Sequence, residues 1–191
     1  MPFDEGRAVF YYDDIMRRSI YQFKYNRRKE YSLFYAEEIV NKYSEKIKKW
    51  NVDVIIPIPI HKSKLKKRGY NQAFLIAKVV SNLTKIPVDD KILLRVKNTR
   101  KQKNLGASDR DSNLKNAFKI SANRVQYLSA MLIDDIYTTG ATMCSASRCL
   151  KSVGIKRVYC ISVSAGIDIN SGKDFNQDEY IAGGYYERKE L

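Results

Sequence analysis

The sequence predicts an α/β fold: a mainly parallel central sheet flanked by helices, with a small N-terminal helical region packed on it. Three observations carry this. Short apolar runs at 52–56, 129–133 and 157–163 have the length and polar flanks of buried strands. Apolar residues at steps of three and four mark amphipathic helices before and between them. Strands alternating with helices imply right-handed crossovers and a parallel sheet. With 191 residues the chain is about one domain in size. A chain this long buries about 70% of its unfolded surface, so it needs no disulfide or structural metal to fold.

The elements follow in order. Ala8–Tyr12 reads as a short strand, and Asp13 as the N-cap of a helix running to about Phe23. Leu33, Ala36, Val40, Tyr43 and Ile47 give one apolar face to a helix over 31–48. Twelve of the 22 aromatic residues fall in residues 1–50, which form the N-terminal region. Residues 51–165 form the core. Val52–Ile56 is a strand stopped by Pro57, followed by a polar loop. Ala73, Ile76, Ala77, Val80 and Leu83 mark the next helix, and Lys91–Val96 a further strand. Residues 97–113 are polar and charged and read as a long loop. Ala117–Ile120 is short and extended, Ser129–Ile133 is a strand, 141–152 a helix and Arg157–Val163 the closing strand. Residues 166–191 are a polar, Gly-containing tail.

Composition narrows the function. Thirty-five Lys and Arg against 21 Asp and Glu give a net charge of +14. The apolar share of 44% is too high for a disordered basic tail. A folded, strongly basic chain attracts polyanions: nucleic acid, an anionic membrane surface or small polyphosphates. Cys144, Cys149 and Cys160 are odd in number and lack a C-x-x-C, which suits a reducing cytoplasm. No run reaches the roughly 18 apolar residues of a membrane span, and the first residues lack the pattern of a signal peptide. The single histidine, His61, excludes a multi-histidine metal site.

The sharpest signal is residues 131–142, Met-Leu-Ile-Asp-Asp-Ile-Tyr-Thr-Thr-Gly-Ala-Thr. An apolar strand runs into Asp134 and Asp135, and a Thr-Thr-Gly turn opens a helix. Gly140 lets backbone approach a ligand. The turn amides, including that of Ala141, and the helix N-terminus form an anion cradle. The hydroxyls of Thr138, Thr139 and Thr142 add donors for phosphate oxygens. Two carboxylates accept hydrogen bonds from a sugar diol and favour a divalent cation. A phosphate beside a diol describes a ribose 5-phosphate. Each half of the block also occurs in ordinary caps and turns; the strand–turn–helix context favours a ligand.

Residues 131–142 resemble the PRPP-binding loop of type I phosphoribosyltransferases. Two further blocks narrow the resemblance. One is Ile56-Pro57-Ile58-Pro59-Ile60-His61 with Lys67-Arg68-Gly69-Tyr70-Asn71-Gln72-Ala73. The other is Thr99-Arg100-Lys101-Gln102-Lys103-Asn104-Leu105 with Arg110, Asn113 and Ala117-Phe118. Together they resemble the ComF/ComFC-like family of natural-competence proteins, over about residues 9–164. The resemblance implies a type I phosphoribosyltransferase fold and an Mg²⁺-dependent PRPP-binding protein, a pentosyl-transferring enzyme of undefined acceptor. It implies that Asp134 and Asp135 act on the ribose and stabilise positive charge at its anomeric carbon. Thr138 to Thr142 then hold the 5′-phosphate.

The resemblance also places a pyrophosphate loop at Pro59, His61, Lys62 and Arg68. Residues 54–88 hold seven Lys and Arg and no acid, which suits that ligand. Arg68 is favoured because a guanidinium binds phosphate bidentately; His61 is equally open to packing or hydrogen bonding. Arg100, Gln102, Lys103 and Arg110 fall on an implied flexible flap that closes over the ligand. Thr138 stands where some base-salvaging relatives carry an acid, which weakens a purine acceptor. Many such proteins begin with a four-cysteine zinc ribbon; this chain lacks one, and no structural zinc is expected. The implied partners are PRPP or a related ribose 5-phosphate, single-stranded DNA and other DNA-uptake proteins. The basic, aromatic stretch from Arg17 to Lys29 offers stacking and phosphate contacts to single-stranded DNA. Core packing and a solvated face account for the same residues.

Overall fold

The computed structural model describes residues 1–97, 117–121 and 127–166. Four parallel strands form the central sheet in the order β1-β6-β5-β2. They are β1 (Glu5–Tyr11), β2 (Val54–Pro57), β5 (Ser129–Tyr137) and β6 (Arg157–Ala165). Their inner residues are buried on both faces, which is why the sequence reads as continuous apolar runs there. Alternation then sorts the side chains. Ile55, Met131, Ile133, Ile161 and Val9 join one apolar layer. Val54, Ile56, Leu132, Val158 and Ala8 join the other.

Helices α1 (Asp14–Tyr25), α2 (Tyr31–Trp50) and α4 (Gln72–Thr84) supply the first layer. Asp13 caps α1, accepting from the Met16 amide at 2.8 Å, as the sequence predicts. Asn71 caps α4 through the Ala73 amide. The buried face of α2 runs through Tyr35, Ala36, Ile39, Tyr43, Ile47 and Trp50; Leu33, expected inside, is 52% exposed. Residues further along the helix set that face, and Leu33 in the first turn falls outside it. Helix α5 (Ala141–Lys151) and a separate two-stranded antiparallel sheet, β3 (Leu93–Arg95) with β4 (Phe118–Ile120), cover the second layer. The strand expected over 91–96 is therefore shorter and lies outside the main sheet.

The polar loop expected after Pro57 contains a helix, α3 (Lys62–Arg68). It has no buried residue and forms by its ends: His61 caps it, and Gly69 closes it at φ +83°. Strand β1 lies at one edge of the sheet, so residues 1–50 and 51–165 share a core. No helix among the described residues is long and apolar enough to cross a membrane.

Candidate functional site: the carboxyl edge between β2 and β5

Neighbouring strands β2 and β5 send their connections opposite ways. The chain leaving β2 goes outward, where Val88 bridges Ile55, and α4 packs on the first layer. The chain leaving β5 returns inward to β6, and α5 packs on the second layer. A crevice opens outside the carboxyl ends of strands where connections diverge in this way. Pro57 pairs with Ile133, and the Ile58 amide donates to the Ile133 carbonyl at 2.9 Å. Residues 58–68 and 138–142 therefore leave the same edge side by side.

Strand β5 continues past Pro57 to Tyr137 and carries both acids. The pleat turns consecutive side chains to opposite faces, so Asp134 and Asp135 leave β5 on its two sides, both beyond the end of β2 at Pro57. Their partners confirm the split. Asp135, 8% exposed, receives Lys24 of α1 on both oxygens, at 2.9 and 2.8 Å. Asp134 is half-buried and accepts the Asp135 amide at 2.8 Å. Burial first, then the Asp135 charge, pushes the Asp134 pKa up to about 7, against the pull of Lys24 and of Arg95 on β3. Arg95 sits 5.4 Å above the Phe118 ring, and burial lowers its pKa.

Beyond β5, Thr138 and Thr139 are exposed and Gly140 begins α5 at φ +74°. No side chain caps α5, so its first-turn amides stay open to a ligand. A Cβ on Gly140 would overlap the Tyr137 hydroxyl, so any other residue here must displace that side chain. Ala141 and Thr142 are half-buried in the first turn.

On the other side, Lys62, Lys66 and Lys67 are exposed and Pro59 and Arg68 half-buried. His61 Nδ1 accepts from the Ser63 amide at 3.2 Å and lies 2.8 Å from its hydroxyl, so this nitrogen is engaged in the cap. Arg68 donates to Gln72 Oε1 at 2.9 Å and to the Tyr25 hydroxyl at 3.2 Å, with its guanidinium 5.0 Å from the Tyr25 ring. Arg100, Gln102, Lys103 and Arg110 lie outside the described residues. Lys24 and Tyr25, which the sequence offers as part of a DNA-contacting stretch, and Arg95, which it offers as a basic residue beside the flap, are instead neighbours of the two acids and Arg68. The available signal was that a buried carboxylate needs a cation.

Known proteins are similar to this chain over much of its length. Over 108 residues the chain is 40% identical to Competence protein F of Haemophilus influenzae, matching 56% of this chain and 47% of that one. Over 150 residues it is 30% identical to Competence protein ComFC of Bacillus subtilis, 78% of this chain and 59% of that one. The chain is thus similar to the ComF and ComFC competence proteins. The DNA utilization protein YhgH of Salmonella typhi is 28% identical over 147 residues, 74% of this chain and 64% of that one. The chain thus spans about half to two-thirds of the curated relatives it matches. No family model matches. Among solved structures, a purine phosphoribosyltransferase from Pyrococcus horikoshii is similar at a TM-score of 0.41 and 15% identity, over 69% of this chain and 83% of that one.

Proposed function

We propose that this ComF/ComFC-like chain binds PRPP with Mg²⁺ at the crevice between β2 and β5 and acts as a phosphoribosyltransferase in DNA uptake. The observation that carries this is the run from Asp134 and Asp135, through the Thr138-Thr139-Gly140 turn, into the uncapped α5, set beside the cationic α3. The names of the relatives, competence and DNA utilization proteins, support the setting.

In this reading the open amides of α5 and the hydroxyls of Thr138, Thr139 and Thr142 hold the 5′-phosphate. Arg68 and Lys62 hold the pyrophosphate. Asp135, fixed by Lys24, and Asp134 receive the ribose hydroxyls and face the positive charge that develops at the anomeric carbon. A nucleophile forms a bond to that carbon as the bond to pyrophosphate breaks, and the pyrophosphate keeps the electron pair. No cluster of three metal-ligating side chains occurs among the described residues. Mg²⁺ is commonly held by one or two carboxylates and the phosphates of its ligand, and the adjacent acids at the end of β5 offer such carboxylates. Asp134 and Asp135 are the residues that would hold it. A bound Mg²⁺ would neutralise charge on the leaving group.

Calorimetric titration of PRPP with and without Mg²⁺ tests the reading. The wild-type chain should bind PRPP more tightly with Mg²⁺, and the double variant Asp134→Asn, Asp135→Asn should lose that binding. An unchanged titration in the double variant would remove these residues from the site.

One observation favours a second surface. Tyr21 and Tyr25 are exposed, with ring centroids 4.9 Å apart. Arg17, Arg18 and Tyr21, with Gln22, line a cavity of about 290 Å³ beside them. Exposed aromatic rings among arginines suit single-stranded nucleic acid, whose bases stack on such rings.

A further inference from the structure

The last turn of α1 touches both halves of the candidate site. Phe23 is fully buried, and its carbonyl accepts from the Tyr70 hydroxyl, which ties α1 to the turn after α3. The next two residues then point to different tasks. Lys24 reaches Asp135 at the end of β5. Tyr25 reaches Arg68 at the end of α3.

We propose that this turn is a positioning element of the ligand site: Lys24 fixes the Asp135 carboxylate for the ribose, and Tyr25 fixes the Arg68 guanidinium for the pyrophosphate. The inference rests on the PRPP reading above. Lys24 Nζ is within 3 Å of both Asp135 oxygens, which pins the carboxylate plane. A carboxylate has about four lone-pair sites, so about two remain for hydroxyl donors. Arg68 has five N–H donors. Gln72 and Tyr25 take two of them, and the guanidinium lies over the Tyr25 ring. The remaining donors form an edge of fixed direction for a phosphate. One helix end thereby sets the orientation of two groups on different strand connections.

The two contacts separate by ligand, which a general loss of folding would not do. Ribose 5-phosphate probes the diol and phosphate side; pyrophosphate with Mg²⁺ probes the α3 side. Each is titrated calorimetrically into the full chain. Lys24→Met should weaken ribose 5-phosphate about tenfold, the weight of one well-placed hydrogen bond, and leave pyrophosphate almost unchanged. Tyr25→Ala should do the reverse. Lys24→Arg and Tyr25→Phe, which keep the cation and the ring, should recover most of each loss. If Lys24→Met does not fold, Tyr25→Ala and Lys24→Arg decide, because Tyr25 is 48% exposed and outside the core. Equal loss of both probes in either variant, or no loss in either, would overturn the positioning role while leaving the site in place. A wild-type chain that binds neither probe would take down the PRPP reading and this inference with it.

Discussion

Asp134 has two forces against its charge, burial and the neighbouring Asp135, and they lift its pKa from the ordinary 3.8 to about 7. Between those values the folded chain holds a proton that the unfolded chain has lost. The Asp134 contribution to stability therefore falls as pH rises from about 4 to about 7 and stays reduced above it. Asp134→Asn removes that penalty. It should raise the thermal midpoint at about pH 7.5 by several degrees, since about 1 kcal/mol moves it by roughly 2–4 °C in a chain of this size, and should change it less at about pH 5. Melting curves of both proteins at the two pH values check this; a variant gap that does not widen with pH would show that Asp134 carries no such charge penalty. The same residue shows where the sequence stops being legible. The pair of acids and the turn after them stand out as types in a pattern. That the pair splits between faces, with Lys24 on one side and Arg95 on the other, depends on strand length and helix packing. Among 35 Lys and Arg, nothing local singles out those two.

The unit β5–turn–α5 is the part of the site whose backbone is most constrained. Gly140 has φ +74° and the Tyr137 side chain where a Cβ would go, whereas Gly154 has φ +102° and open space around it. Gly154→Ala should thus cost about 1–2 kcal/mol, from conformation alone. Gly140→Ala should cost more, by about another 1–3 kcal/mol for the forced displacement of a buried ring. It should also weaken phosphate binding. Urea unfolding of the two variants compares them directly, and equal losses would show that Tyr137 yields at no cost. Strands and helices were legible where local chemistry decides them: apolar runs for β2 and β5, the Asp13 cap for α1 and the apolar spacing of α4. Helix α3 was not, since Lys-Ser-Lys-Leu-Lys-Lys-Arg buries nothing and holds by its two ends. Strand β3 was expected, but periodicity does not name a partner, and its antiparallel pairing with β4 takes it out of the main sheet.

At the scale of the whole molecule, the charge of +14 divides between two settings. The lysines of α3 and Arg68 border the crevice, where a small polyphosphate uses them. Arg17 and Arg18 are exposed on α1, beside the cavity and the Tyr21–Tyr25 pair, where a longer strand would lie. These settings predict separable behaviour. The double variant Arg17→Ala, Arg18→Ala removes two cations from the second surface alone. Each phosphate contact contributes about 0.7 to the slope of log affinity against log salt for a single strand. Arg17 already pairs with Asp14 at 3.0 Å, both exposed, so its share is reduced. The slope should therefore fall by about 0.7 to 1.4. PRPP binding should not change, because among the described residues neither arginine has a hydrogen bond or ion pair to the β2–β5 edge, and Arg17 pairs with Asp14. Titrating a fluorescent single-stranded oligonucleotide across a salt series, with PRPP calorimetry alongside, reads both quantities. An oligonucleotide slope unmoved by the double variant would remove α1 as a polyanion surface. A matching loss of PRPP binding would merge the two settings into one.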